Sequence, residues 1–268
     1  MARIFVTGSA DGLGQMATRL MVEDGHRVVL HARNEKRAKE ALAAVPGAET
    51  AVSGDLSSIA ECRNVAAQVN SLGAFDAVIH NAGVGYREPR RIETVDGLSH
   101  VFAINTLAPY ILTALIRKPK RLVYLSSGMH RSGDPSLKDL TWSTRPWNGS
   151  SAYADSKLHD LILAFAVARK WPDVLSNALE PGWVATKMGG PGAPDDLDAG
   201  PKTQVWLATS NDPEAMVTGQ YFYHQKRRAA EPVATDEEIQ ERLIAECARI
   251  AGIPFPDQDR PDVLHQER

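Results

Sequence analysis

Short apolar runs alternate with amphipathic stretches from the first residues of the chain. The runs at 3–7 (RIFVT), 27–31 (RVVLH), 49–53 (ETAVS), 76–80 (DAVIH), 121–126 (RLVYLS), 174–179 (VLSNAL) and 219–224 (GQYFYH) predict seven strands. Between them a 3.6-residue period predicts helices over 12–24, 34–44, 58–71, 95–117, 151–170 and 201–209. Strands rich in Val, Ile and Leu that alternate with helices argue for a parallel sheet covered on both faces. The expectation is therefore one doubly wound α/β domain with a seven-stranded, mainly parallel sheet. A charged amphipathic helix follows at 235–250, where Thr235 and Glu238 have capping-box spacing. Residues 251–268 read as a loose tail. A Gly- and Pro-rich stretch at 183–200 interrupts the alternation and reads as a lid.

Composition narrows the function classes. The 268 residues suffice for one large domain and hardly for two. A net charge of -3 with both signs mixed gives no footprint for a nucleic-acid partner. No apolar run approaches the ~20 residues that span a bilayer, and the start of the chain enters a strand without a leader pattern. The two cysteines, Cys62 and Cys247, lie far apart in expected helices. They suggest neither a metal site nor a disulfide framework, and a reduced, cytoplasmic protein is expected.

Two stretches carry candidate chemistry. The first is TGSADGLG (7–14), where Gly8, Gly12 and Gly14 punctuate a strand-to-helix turn. Small residues there let backbone N–H groups approach an anion at the positive end of a helix. A tight turn without a ligand is the plain alternative. No G-K-[ST] follows, which argues against nucleotide hydrolysis. The second strand ends in Ala32 and Arg33 rather than in an acidic residue. Folds that hold a free ribose 2'-hydroxyl place an acid there, and a guanidinium suits a 2'-phosphate instead. NADP is therefore expected over NAD, with a solvated Arg33 as the alternative. The second stretch is SAYADSK, in which Tyr153 and Lys157 share one helix face. An ammonium beside a phenol favours the phenolate, although a surface helix shows the same spacing by chance.

Taken together, TGSADGLG, NAG (81–83) and the Tyr153/Lys157 pair resemble the short-chain dehydrogenase/reductase family. The resemblance spans about residues 3 to 224 and implies a Rossmann-type fold. It implies cofactor contacts at Gly8, Ser9, Asp11, Gly12, Leu13, Gly14, Arg33 and Asn34, and at Asp55 and Leu56 in GDL beside the adenine. It adds Asn81, Ala82 and Gly83, then Pro181, Gly182, Val184 and Thr186 in PGWVAT. It assigns catalysis to Asn105, Ser127, Tyr153 and Lys157, with Tyr153 and Lys157 also touching the cofactor and no metal. The implied reaction interconverts a carbonyl and an alcohol by hydride transfer from NADP(H), with Tyr153 as acid and base. A catalytically silent NADP(H)-binding sensor is the rival reading.

TVDGL, SSGMH and the long Ser127-to-Tyr153 spacing are similar to the retinol-dehydrogenase-like branch. The residues between them, 128–149, read as an inserted substrate-side loop. Within it, His130 is expected to be structural, with a place near the site as the alternative. Trp142 and Trp147 either wall an apolar pocket or anchor the insertion. Asp155 is expected to be a surface group, and Arg87, Arg90 and Arg91 a solvated basic loop or an anion contact. A small-molecule substrate is implied. The apolar run at 161–168 allows a homodimer.

Overall fold

The computed structural model describes residues 1–256. Seven strands lie parallel in the order β3-β2-β1-β4-β5-β6-β7. They are β1 (Arg3–Val6), β2 (Arg27–Ala32), β3 (Thr50–Ser53), β4 (Ala77–His80), β5 (Arg121–Leu125), β6 (Leu175–Glu180) and β7 (Tyr221–Tyr223). The two-residue β8 (Lys226–Arg227) folds back antiparallel on β7, an edge strand not anticipated from the pattern. The order reverses between β1 and β4, so the crevice at their carboxyl ends is where such a sheet takes a ligand.

Helices α1 (Gly12–Glu23), α2 (Glu35–Ala44) and α7 (Lys202–Thr209) belong to one layer; α3 (Ile59–Ser71), α5 (Ala108–Leu115), α6 (Gly149–Lys170) and α8 (Glu237–Ala251) belong to the other. Alternate strand residues feed the two cores. Ile4 and Val6 face one, and Phe5 faces the other. The apolar run Leu161–Ala168 is buried within this one chain. Its apolarity therefore gives no argument for a second copy.

Three boundaries differ from expectation. The long helix begins at His100, because Thr94 caps a turn in which Gly97 has φ 76°. α8 is capped by Asp236, whose carboxylate accepts from Glu238 N and Ile239 N, while Thr235 ends a short 3-10 turn. The tail expected from residue 251 is packed as far as Phe255. Ile253 is buried, its carbonyl accepts from Tyr110 Oη at 2.8 Å, and Phe255 lies against Trp171. The remainder of that tail, 257–268, lies outside the described residues.

The long helix is continuous but not uniform. α4 (His100–Phe102) passes into a π-helical turn (Ala103–Leu107) and then into α5. Pro109 supplies the reason. It has no N–H to offer the Asn105 carbonyl four residues back, and its ring crowds that carbonyl. The helix accommodates by widening, with Ala108 N donating to Ala103 O five residues back.

Candidate active site

The glycine loop is shaped by close approach. Gly8 has φ 62°, and a Cβ there would lie 2.7 Å from Ala82 Cα. Gly14 packs harder still. Its Cβ would lie 2.4 Å from Asn81 Nδ2 and 2.5 Å from the Gly8 carbonyl. Asn81 locks the loop to the end of β4, with Nδ2 donating to Thr7 O and Gly8 O. Ala82 N donates to Thr7 Oγ1. Around Gly12, by contrast, nothing lies within 4 Å of a built Cβ, so the mouth of the loop is open at the start of α1. A backbone turn over a helix N-terminus with room above it fits a pyrophosphate. Replacement of Gly14 by Ala is expected to cost about 1–3 kcal/mol, the usual price of overpacking. A thermal melt unchanged within one degree would contradict this close approach.

Sequence reasoning missed His31, which organises the same loop. It is buried at the end of β2, where Nδ1 accepts from Gly8 N and Nε2 donates to Gly54 O, both at 3.0 Å. It thus ties the glycine loop to the turn carrying Asp55 and Leu56, and burial lowers its pKa to about 4.

The other predicted contacts divide. Ser9 is buried, and its hydroxyl is engaged with Val6 O and His31 N, so it serves the sheet. Asp11 precedes α1. Its carboxylate is held well below the usual range, chiefly by the Lys187 ammonium at 2.8 Å, with Arg37 at 2.9 Å. Leu13 reaches toward Gly200 at the end of the lid. Arg33 is exposed just past β2, and Asn34 caps α2 by accepting from Arg37 N. Asp55 accepts from Ser57 N, and Leu56 is buried in the core.

The four expected catalytic residues come together. β5 ends at Leu125, whose carbonyl accepts from Lys157 Nζ at 2.7 Å, and Ser126 Oγ donates to Lys157 O. Ser127 follows, its hydroxyl accepting from Met129 N and lying near enough to the Tyr153 phenol to favour the phenolate. Lys157 Nζ stands 5.7 Å from the Tyr153 ring centroid. A Cβ on Gly83 would lie 3.5 Å from Asn105 Oδ1 and 3.7 Å from Lys157 Nζ. Asn105 is fully buried, accepts from Val84 N, and donates to Val84 O and Ser156 Oγ. Its amide therefore fixes the segment after NAG against α6.

The electrostatics differ from the simple expectation of a depressed phenol. Burial raises the Tyr153 pKa above the ordinary range, against the pull of Lys157 and Ser127. Lys157 is weakened in that role by a partner the sequence reading overlooked. Asp160, one turn further along α6, holds Lys157 Nζ at 2.8 Å. The signal was present in the spacing, since Tyr153, Lys157 and Asp160 fall at i, i+4 and i+7 on one stripe.

The substrate side is assembled by the insertion and the lid. Tyr86 stands edge-on to Tyr153 with ring centroids 5.7 Å apart. Trp142 is buried against Trp147, Val101 and Ala152, and Trp147 Nε1 donates to Glu88 O. Both tryptophans thus anchor the insertion. Asp155 is not a surface group. It is 3% exposed, accepts from Asp134 N and pairs with Arg145, whose guanidinium lies 3.5 Å over the Trp142 ring. His130 is structural, with Nδ1 on Ser127 O and Nε2 accepting from Glu231 N. Arg91 ties the basic loop to Thr141 O and Gly97 O, and Arg87 donates to Gly189 O.

In the lid, Asp195 holds Trp183 by accepting its N–H at 2.6 Å and donating its own to Trp183 O. Val184 bridges to Asp195, and Thr186 Oγ1 accepts from Gly189 N. Pro181 and Gly182 (φ 90°) form the turn from β6 into this segment. Among the described residues no cluster of His, Cys, Asp and Glu could hold a metal ion, and no helix is long and apolar enough to cross a membrane.

Comparison with known proteins agrees with this fold. The short-chain dehydrogenase family model matches residues 2–127. An uncharacterised oxidoreductase of Emericella nidulans is 46% identical over 96% of this chain and 99% of its own length. The short-chain dehydrogenase chyC of Penicillium rubens is 41% identical over 96% and 100%. The chain belongs to the short-chain dehydrogenase family. Human retinol dehydrogenase 13 is 31% identical over 94% of the chain and 85% of its own. The fungal short-chain dehydrogenase relatives exceed that identity, so the expected special closeness to retinol dehydrogenases gives way to membership of the wider family. A crystal structure of an uncharacterised protein from Mycobacterium paratuberculosis shares the fold of this chain. It superposes with a TM-score of 0.82 at 24% identity, covering 96% of this chain and 95% of that one.

Proposed function

We propose that this oxidoreductase interconverts a small carbonyl compound and its alcohol with NADP(H), using Tyr153 as acid and base. The observation that carries the reading is the convergence of Ser127, Tyr153 and Lys157 beside Gly83, next to a glycine loop open at Gly12. Bound NADP(H) supplies the hydride. Gly8 and Gly12 to Gly14 would hold its pyrophosphate. Arg33 would meet the 2'-phosphate and Asp55 and Leu56 the adenine, with Pro181, Gly182, Val184 and Thr186 at the nicotinamide end. Ser127 orients the substrate oxygen, and Tyr153 gives it a proton during reduction. Two donors on that oxygen stabilise negative charge as it develops more than they stabilise a neutral carbonyl. Lys157 would hold the cofactor ribose and steady Tyr153, and Asn105 keeps Val84 and Ser156 in register beside them.

A panel of aldehydes, ketones and alcohols followed by NADPH absorbance tests the reaction. Tight nucleotide binding without turnover on any of them would favour the sensor reading instead. Titration with both nucleotides tests Arg33. The expected result is tighter binding of NADP than NAD, with the preference falling about tenfold or more in Arg33→Ala. Equal affinities in the unmodified protein would refute the assignment.

A further inference from the structure

Tyr153, Lys157 and Asp160 form a stripe on α6, and its last member has no part in the reaction just described. Its carboxylate and the Lys157 ammonium are both nearly inaccessible, with side-chain exposures of 4% and 6%. The ammonium has three donors. One goes to Leu125 O at 2.7 Å and one to Asp160 Oδ2 at 2.8 Å. Asp160 thus pulls Lys157 from the side opposite Tyr153 along the helix.

We propose that Asp160 is a positioning residue that fixes the Lys157 ammonium by its charge and, by offsetting that charge, keeps Tyr153 a proton donor, which biases the site toward carbonyl reduction. The proposal rests on the function proposed above only for the identity of the reaction. The charge relationship within the stripe stands on its own.

The surroundings leave few rival influences. The groups acting on Asp160 are Lys157 on its own helix and the phenols of Tyr153 and, on β5, Tyr124. Tyr124 Oη is bonded to Thr113 Oγ1 at 2.7 Å, and burial holds its phenol neutral. Among the described residues Lys157 is therefore the one cation facing the carboxylate. Burial works against the Lys157 charge, yet Asp160 first and Tyr153 second outweigh it, so the amine stays protonated. The same carboxylate adds to the rise of the Tyr153 phenol. Asp160 itself is raised to about 6 by burial, so it carries its charge at neutral pH.

The test is Asp160→Asn, which keeps the shape and removes the charge. Tyr153 is followed by phenolate absorbance, as the difference between each protein and its Tyr153→Phe counterpart. Its midpoint should fall by about one pH unit, a tenfold change in proton affinity. The pH profile of alcohol oxidation should shift to lower pH by the same amount. Asp160→Glu, which keeps the charge, should restore much of the parent midpoint. A midpoint that stays put or rises in Asp160→Asn overturns the proposal. Should Asp160→Asn not fold, the unmodified protein decides. With ¹³C-labelled tyrosine, the Tyr153 resonance should remain that of a phenol beyond pH ~10, and titration below pH ~9 overturns the proposal. These titrations need no turnover. An inert carbonyl panel with the expected titrations would count against the reaction and leave the role of Asp160 standing.

Discussion

Tyr153→Phe is expected to lower turnover by about a hundredfold to ten-thousandfold, the range for loss of a positioned acid or base. The ring is buried and sits edge-on to Tyr86, and Phe preserves that packing. What disappears is the hydroxyl beside Ser127. Nucleotide binding should change little, because the glycine loop lies on other elements. Paired measurement of single-turnover rate and NADPH affinity checks both halves. A rate within threefold of the parent, with nucleotide bound, would remove Tyr153 from the chemistry. A lost rate accompanied by lost binding would point to damage to the fold instead.

Stability should fall steeply as the pH drops from about 6 to 4. His31, His80 and His159 are buried, and burial lowers their pKa values to about 4, 3 and 3 from the ordinary value near 6.5. Each stays neutral in the folded chain over that window and takes up a proton on unfolding. The stability tied to each is therefore present above about pH 6.5 and lost as pH falls toward the folded-state value. Asp160 has the opposite sign, since its folded pKa is raised to about 6. It gives some stability back as pH falls through that value. Among these four groups, three histidines against one carboxylate leave two protons, or about 3 kcal/mol per pH unit. His26 and His130, also lowered by burial, add to that slope, and Asp155, raised by burial, subtracts from it. A domain with the usual margin of about 5–15 kcal/mol does not survive two such units comfortably. Urea melts at pH 6.5, 5.5 and 4.5 measure this slope, and His159→Gln should flatten it by about half. A stability constant across those three values would contradict the neutral histidines. Loosening of His31 should also release the glycine loop, so nucleotide affinity should decline over the same interval.

Seven of the strands and the main helices were legible. Short, nearly continuous apolar runs mark a sheet buried on both faces, and a 3.6-residue period marks most of the helices between them, whereas the two-residue β8 carries neither signal. The glycine loop and the Tyr153/Lys157 pair were legible because each lies within a few residues of sequence. What escaped depends on contacts across the sheet. His31 looks like any strand histidine until Gly8 and Gly54 arrive at its two nitrogens. Asp155 reads as a surface carboxylate until the insertion folds back with Arg145. Asp160 was within reach, because its offset from Lys157 is local. A carboxylate in an otherwise apolar helix segment is a burial anomaly, and pairing is the usual remedy. The cap of α8 shows a finer limit. Thr235 and Asp236 are both good caps, and the choice between them depends on the 3-10 turn that ends at Thr235.

The widened turn at Ala103–Leu107 carries one residue more than an α-helix needs. Each residue advances a helix by about 100°, so the segments on either side of that turn are out of phase by about this angle. His100 to Phe102 and Ala108 to Leu115 consequently present their greasy sides in directions that no single heptad-like count can join. A descendant of this chain shortened by one position within the turn would have to choose between the packing of the first segment and that of the second. In either case Asn105 would swing away from Val84 and Ser156, and the crevice would lose one of its walls.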